Sequence, residues 1–230
     1  MNEYESRNKT LPNTFLIIEQ LFVILQKDFG QCHNRSSVLT PKSVNLINMY
    51  TASEKKRENI AEYLLYMWQI EDLIRAYALD IDKIEENIID KHTDLSSEQR
   101  KEMKDWYESL IDMMRREGTD KKGHLQLNKN VILTLTDLHN RLLKDSRYAD
   151  YASEYYKTLP FIVELRAKAG EEVAGEIETC FNALYGILLL RLQGKEISSQ
   201  TQQAAKQISA FLARLAAYYK KDFNNELELD

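Results

Sequence analysis

Hydrophobic positions in this chain recur at intervals of three and four. Met103, Trp106, Tyr107, Leu110, Met113 and Met114 form one such stripe, and Val131, Leu135, Leu138 and Leu142 another. That spacing places apolar side chains on one face of a helix. No segment alternates apolar and polar residues for more than a few positions, as a half-buried strand would. Residues 58–79 (ENIAEYLLYMWQIEDLIRAYAL) break the amphipathic pattern, being apolar on almost every face. A helix of that kind must be enclosed by its own protein. It nevertheless carries Glu71, Asp72 and Arg75 among Trp68, Ile70, Leu73 and Ile74. Charges enclosed with it must be paired, or they cost several kcal/mol.

Punctuation between the periodic stretches predicts where the helices begin and end. Ser53 can open the first, which runs to Leu79, and residues 80–90 read as a short acidic helix or turn. Thr93, Asp94 and Ser96 are N-cap choices for the next helix, with Glu98 and Gln99 in its first turn. Arg115 and Arg116 suit its last turn, and Gly118 its C-cap. A further helix starts near Asn128 or Asn130, and residues 148–151 read as a linker. In the helix over residues 155–169, Pro160 predicts a kink, or a restart capped by Thr158. Two small-residue faces follow. Gly175, Thr179, Ala183 and Gly186 lie on the helix over residues 171–193, and Ala205, Ser209, Ala213 and Ala216 on the helix from Ser199, capped by Ser198. Close packing of these two faces would justify a glycine inside a helix, so Gly186→Leu is expected to destabilise. The fold class is all-α, a helical bundle of about six helices with antiparallel neighbours and an N-terminal extension.

Composition agrees. Seven glycines and three prolines in 230 residues leave few places to reverse the chain, so the elements must be long. The net charge of −5 is spread along the chain without a basic block, which argues against a nucleic-acid partner. Cys32 and Cys180 make neither a metal framework nor a disulfide scaffold, and a reducing, cytoplasmic location is expected. Residues 15–25 (FLIIEQLFVIL) are too short to span a bilayer and lack the flanks of a signal peptide, so no membrane association is expected. They read as an amphipathic helix followed by a loop to Asn48. The composition shifts at Met49, which divides the chain into an extension (1–48) and a helical bundle domain (49–230). Translation starting at Met49 would make the extension an artefact. The intact mass of the native protein distinguishes the two, and a species beginning at Met1 removes that idea.

Few chemistries survive inspection. A carboxylate-bridged metal bundle needs Glu-x-x-His pairs, and the residues three before His33, His92, His124 and His139 are Gly30, Ile89, Lys121 and Thr136. No metal and no cofactor is expected. Glu171, Glu172 and Glu176 resemble half of a magnesium-holding glutamate cluster, but the helix from Ser199 to Lys221 carries no acid to complete it. There is no glycine-rich phosphate loop and no nucleophile elbow, and no catalytic residue is assigned. Cys180 sits on an apolar helix and reads as a buried, inert thiol. Asp137, His139 and Arg141 read as an exposed helix face, and His124, beside a loop glycine, as a weak ligand contact.

The remaining cluster is in residues 58–79. Glu71 and Asp72 stand four and three residues before Arg75, so the three can meet. They form either a register-fixing ion network, the favoured account, or a polar pocket walled by Tyr63, Tyr66, Trp68 and Tyr77. In the second case Tyr63, Trp68, Glu71, Asp72 and Arg75 bind a ligand. Residues 58–76, GHLQLNKN from Gly123, ELRAKAG from Glu164 and EIETCFNALYGILLLRLQ from Glu176 resemble an uncharacterised helical family of Bacteroidetes. The resemblance covers about residue 49 to the C-terminus and implies an all-α cytosolic protein, without an activity to transfer. Two function classes follow. One is a non-enzymatic protein acting through self-association or an unknown protein partner. The other is a small-molecule binder or enzyme using the polar-aromatic cluster.

Overall fold

The structure, a computed structural model, describes residues 49–93, 95–169 and 174–228. The expected helix over residues 15–25, together with Cys32, His33, Asp94, Glu171 and Glu172, lies outside the described residues. Among the described residues the elements are helical: α1 (Met49–Glu58), α2 (Ile60–Ala76), α3 (Ile81–Asn87), α4 (Ser97–Glu117), α5 (Gln126–Lys144), α6 (Ala149–Lys168), α7 (Glu176–Leu192) and α8 (Ser199–Phe223), with short 3-10 turns at Ile89–Lys91 and Ser146–Tyr148.

The eight α-helices exceed the six expected, for two local reasons. Asn59 sits in an extended conformation, and its side chain accepts from the amides of Ala61 and Glu62, so it caps a new helix inside what reads as a continuous one. At the other end, Ala78 and Leu79 take left-handed φ values of 56° and 58°. Non-glycine residues rarely adopt that region, and two in succession end the helix at Ala76 rather than Leu79. Asp80 then accepts from the amides of Asp82 and Lys83 and opens α3.

The chain divides into two compact units. One holds α1 to α5 and the last turns of α8; the other runs from Asp150 to Arg214. In the first unit α2 is the centre, packed against α1, α4 and α5. Every residue from Tyr63 to Glu71 is buried, as an all-round apolar helix requires. Ser96 and Gln99 form the reciprocal capping box at the start of α4, and Gly118 ends it at φ 65°. Helix α4 buries Met103, Tyr107, Leu110, Ile111 and Met114. Helix α5 buries Leu135, Leu138 and Leu142, and also His139, which is 3% exposed and lies on the inner face rather than the outer one. Arg141 pairs with Asp137 at 3.0 Å, as the four-residue spacing allows, and with Asp222 at 2.9 Å.

In the second unit, α6 runs unbroken through Pro160 from Ala149, so the expected linker and restart are replaced by one helix. Thr158 is buried inside it, its hydroxyl donating to the Glu154 carbonyl rather than capping a new helix. The backbone bond the proline forgoes is the one to the Tyr156 carbonyl, two residues further on. The rings of Tyr151 and Tyr155 approach Phe211 at 5.7 and 5.9 Å between centroids. The amide of Gln207 donates to Glu154 at 2.7 Å, and the Tyr155 hydroxyl to Glu176 at 2.8 Å. Ser198 accepts from the Thr201 amide and caps α8 as expected.

The expected meeting of small faces at Gly186 is corrected by the structure. Among the described residues a Cβ placed there meets nothing within 4 Å, so no close approach by a described helix explains the glycine. The sign of the expected effect reverses with it. Gly186→Ala should stabilise by about 0.5–1 kcal/mol, because alanine loses less backbone freedom in a helix. A higher urea midpoint is the expected result; an unchanged or lower one contradicts it.

Cys180 is fully buried, and burial pushes its thiol up to about 12 from an ordinary 9.0, with the Glu176 charge adding to the effect. The raised value fixes the sign. The unfolded thiol ionises near pH 9 while the folded one stays neutral, so this contribution is present below pH 9 and is lost as pH rises toward about 12. Burial also raises the Tyr151 and Tyr155 hydroxyls. The urea midpoint should therefore fall between pH 9 and 11, and fall less steeply in Cys180→Ala. Parallel slopes in the two proteins would remove the assignment to this thiol.

Candidate functional site

Two turns of α2 supply most of the cluster. Trp68, Glu71, Asp72 and Arg75 recur at steps of three and four, and so share one side of the helix. The Glu71 side chain is only 1% exposed, and its carboxylate receives three donors. Oε1 accepts from the Leu125 amide at 2.9 Å and from Asn128 Nδ2 at 2.7 Å. Oε2 lies 2.6 Å from His124 Nδ1. Arg75 stands 4.0 Å from Oε2, too far for a hydrogen bond. Hydrogen bonds from the loop before α5 and from its first turn thus satisfy most of this buried charge.

Those bonds also solve a problem of local structure. Leu125 is the N-cap of α5 and offers no side-chain acceptor to the first turn. Glu117 supplies one, its Oε2 accepting from the Gln126 amide at 2.6 Å, while Glu71 on another helix holds the Leu125 amide itself, both negative groups at the end where exposed amides favour them. Arg75 fixes the same loop from below. Its Nε and Nη2 donate to the Thr119 carbonyl at 3.2 and 3.1 Å, Nη2 donates also to the Gly123 carbonyl, and Nη1 pairs with Asp72 at 2.7 Å. Gly123, at φ 83°, takes a backbone conformation that favours glycine. The guanidinium is largely occupied by the protein itself.

His124 completes the arrangement. Its ring stacks on the indole of Trp68, with centroids 4.0 Å apart and planes 12° from parallel. A carboxylate accepts, which makes Nδ1 the donor to Glu71, and in that tautomer of the imidazole Nε2 carries the lone pair. The ring remains 27% exposed. Nε2 has no hydrogen-bond partner among the described residues and is not among the enclosed polar atoms. Behind it, Asn128 is fully buried and its Oδ1 accepts no hydrogen bond from the described residues.

Trp68, Glu71, Asp72 and Arg75 are therefore brought together, with Asp72 the half-exposed member. Tyr63 is buried on the same helix, its hydroxyl pushed above the ordinary range by burial and by the Glu71 charge. Tyr66 is buried as well, while Tyr77 lies beyond the end of α2. A separate cleft of about 500 Å³ is lined by residues 78–81, Glu108, Ile111, Asp112 and Arg115. Its rim is well exposed, with Asp112 and Arg115 at 62% and 59%. Among the described residues no group of three or more His, Cys, Asp or Glu side chains is placed to hold a metal ion.

One comparison bears on identity. A family described as a domain of unknown function (DUF4924) matches residues 49–226. The chain belongs to this family. The DUF4924 domain begins with α1 and takes in both α2 and the loop that carries His124, so the whole cluster is internal to it. No curated protein and no solved structure matches the chain. Among the described residues no helix is long and apolar enough to cross a membrane.

The residues missed as partners of Glu71 are His124, Leu125 and Asn128.

Proposed function

We propose that this DUF4924 protein is a ligand-binding helical domain whose site is the Trp68, Glu71, Asp72 and Arg75 side of α2 closed over by His124. One observation carries the reading. The imidazole is fixed in plane by Trp68 and in tautomer by a buried carboxylate, while its second nitrogen faces outward without a protein partner. Fixing helix register needs only the inner half of that arrangement; the outer half is a positioned acceptor. The reading extends to a cytoplasmic protein of Bacteroidetes, supported by the cysteine usage and by the resemblance of its helical segments.

A metabolite panel tested by thermal shift on the wild type, His124→Gln and Arg75→Ala checks it. A ligand at about 100 times its Kd adds about 2.7 kcal/mol. That corresponds to a rise of about 5–10 °C for a domain of this size. The expected result is a compound that raises the wild-type midpoint and does so less in His124→Gln. A panel that moves no midpoint, or moves all three proteins equally, removes the site.

Self-association is a second reading, drawn from α6. Tyr156 and Val163, seven residues apart with Pro160 between them, are 63% and 58% exposed on one face. Light scattering tests it, and a strict monomer at high concentration counts against it.

A further inference from the structure

We propose that Nε2 of His124 is a phosphoryl-acceptor site. The proposal rests on His124 being the working group of the surface described above, and it concerns covalent chemistry there rather than reversible binding.

A nucleophilic relay has three parts: an orienting acid, an imidazole, and a hydroxyl or thiol that the imidazole activates. Two of them are present. Glu71 holds Nδ1 at 2.6 Å, and Trp68 holds the plane of the ring at 4.0 Å. No hydroxyl or thiol among the described residues hydrogen-bonds to His124. The imidazole therefore stands at the end of the relay, and its own lone pair is the nucleophile.

The surrounding charges suit a phosphoryl group. Transfer to Nε2 leaves a dianionic group on the nitrogen and a positive charge in the ring. The carboxylate across Nδ1–H meets that positive charge directly, as it does in any charge-assisted hydrogen bond. Lys121 and Lys122, exposed in the same loop three and two residues before the histidine, offer cations to the phosphoryl oxygens. An acyl group would bring no negative charge for them to meet. Thr119 and Gly123 are held by Arg75, so the loop presents the ring in one place.

The donor class is an activated phosphoryl compound with an N–P or acyl-phosphate bond. With phosphoramidate the Nε2 lone pair attacks phosphorus, and the N–P bond breaks. The departing nitrogen leaves as ammonia with its own protons. The ring keeps its Nδ1 proton on Glu71, and nothing is oxidised or reduced.

Potassium phosphoramidate and the full chain at neutral pH provide the test, followed by intact mass and fragment mapping under conditions that preserve the N–P bond. N-acetylhistidine methylamide serves as the reference. The expected result is addition at His124, at Nε2 alone, at least about tenfold faster than on the reference, the order of effect that a carboxylate partner has on a histidine ligand. A rate equal to or below the reference, or addition at Nδ1, overturns the proposal. Glu71→Gln sharpens it: an amide NH₂ facing Nδ1 turns the ring to its other tautomer and puts a proton on Nε2, so a folded variant should lose the rate advantage. If that variant does not fold, the wild-type comparison with the reference decides. A ligand that shifts the wild-type midpoint while His124 shows no rate advantage overturns phosphoryl transfer and leaves the binding site standing. The reverse outcome, fast modification with no ligand shift, supports phosphoryl transfer and removes the reversible site.

Discussion

Glu71→Ala is expected to lower stability by about 3–5 kcal/mol, the cost of removing one member of a buried charged network. The magnitude comes from what is left behind. The Leu125 amide, Asn128 Nδ2 and His124 Nδ1 all direct their protons at one carboxylate. Each enclosed donor that loses its acceptor costs about 1–3 kcal/mol. The ion pair with Arg75 is the smaller effect, since 4.0 Å separates the groups and Arg75 keeps Asp72, Thr119 and Gly123 as partners. Arg75→Ala should therefore cost less than Glu71→Ala. Urea unfolding of both variants gives the comparison. A loss under about 1 kcal/mol for Glu71→Ala would mean that water replaces the carboxylate and that the loop is not held by it.

The second large effect is expected in the unit from Asp150 to Arg214. Phe211→Ala should destabilise by about 3–5 kcal/mol, the range for deleting a buried aromatic ring. Phe211 is fully buried and lies against both Tyr151 and Tyr155. Tyr155 is tied through its hydroxyl to Glu176 at 2.8 Å, which opposes its following the lost ring inward. Loss of the ring should leave a cavity rather than a repacked core. Two measurements check this: the urea midpoint, and the labelling rate of Cys180 in a Cys32→Ser background. The expectation is a lower midpoint together with faster labelling. An unchanged midpoint would show that the site collapses without cost.

The helical class, most helix limits and the enclosure of α2 were legible because they depend on local periodicity and caps. Ser96 with Gln99, Gly118 and Ser198 act where their residue types suggest. The errors arose where one residue works against its neighbours. Asn59 starts a helix inside an apolar run, Pro160 is carried without a break, and Gly186 meets no close neighbour among the described residues. In the cluster, the spacing of Glu71, Asp72 and Arg75 showed that they could meet. It could not show that Glu71 turns most of its hydrogen-bonding capacity toward His124, Leu125 and Asn128, because no periodicity links positions so far apart. His139 was misplaced for a related reason: its ion-paired neighbours Asp137 and Arg141 suggested an outer face, but the apolar stripe beside them carried it inward.

The distance along the chain between Glu71 and its donors also sets an order of events. Leu125 and Asn128 lie 54 and 57 residues after the carboxylate they serve. While the polypeptide is being made, α2 is complete long before those donors exist. Until they arrive, water must occupy their places, because an unmet carboxylate cannot be enclosed. The apolar faces of α2 therefore cannot all close at once, and the final burial of this helix waits for the start of α5. A nascent chain stopped just short of Leu125 would hold the apolar helix α2 partly open, a form that a chaperone would be expected to bind.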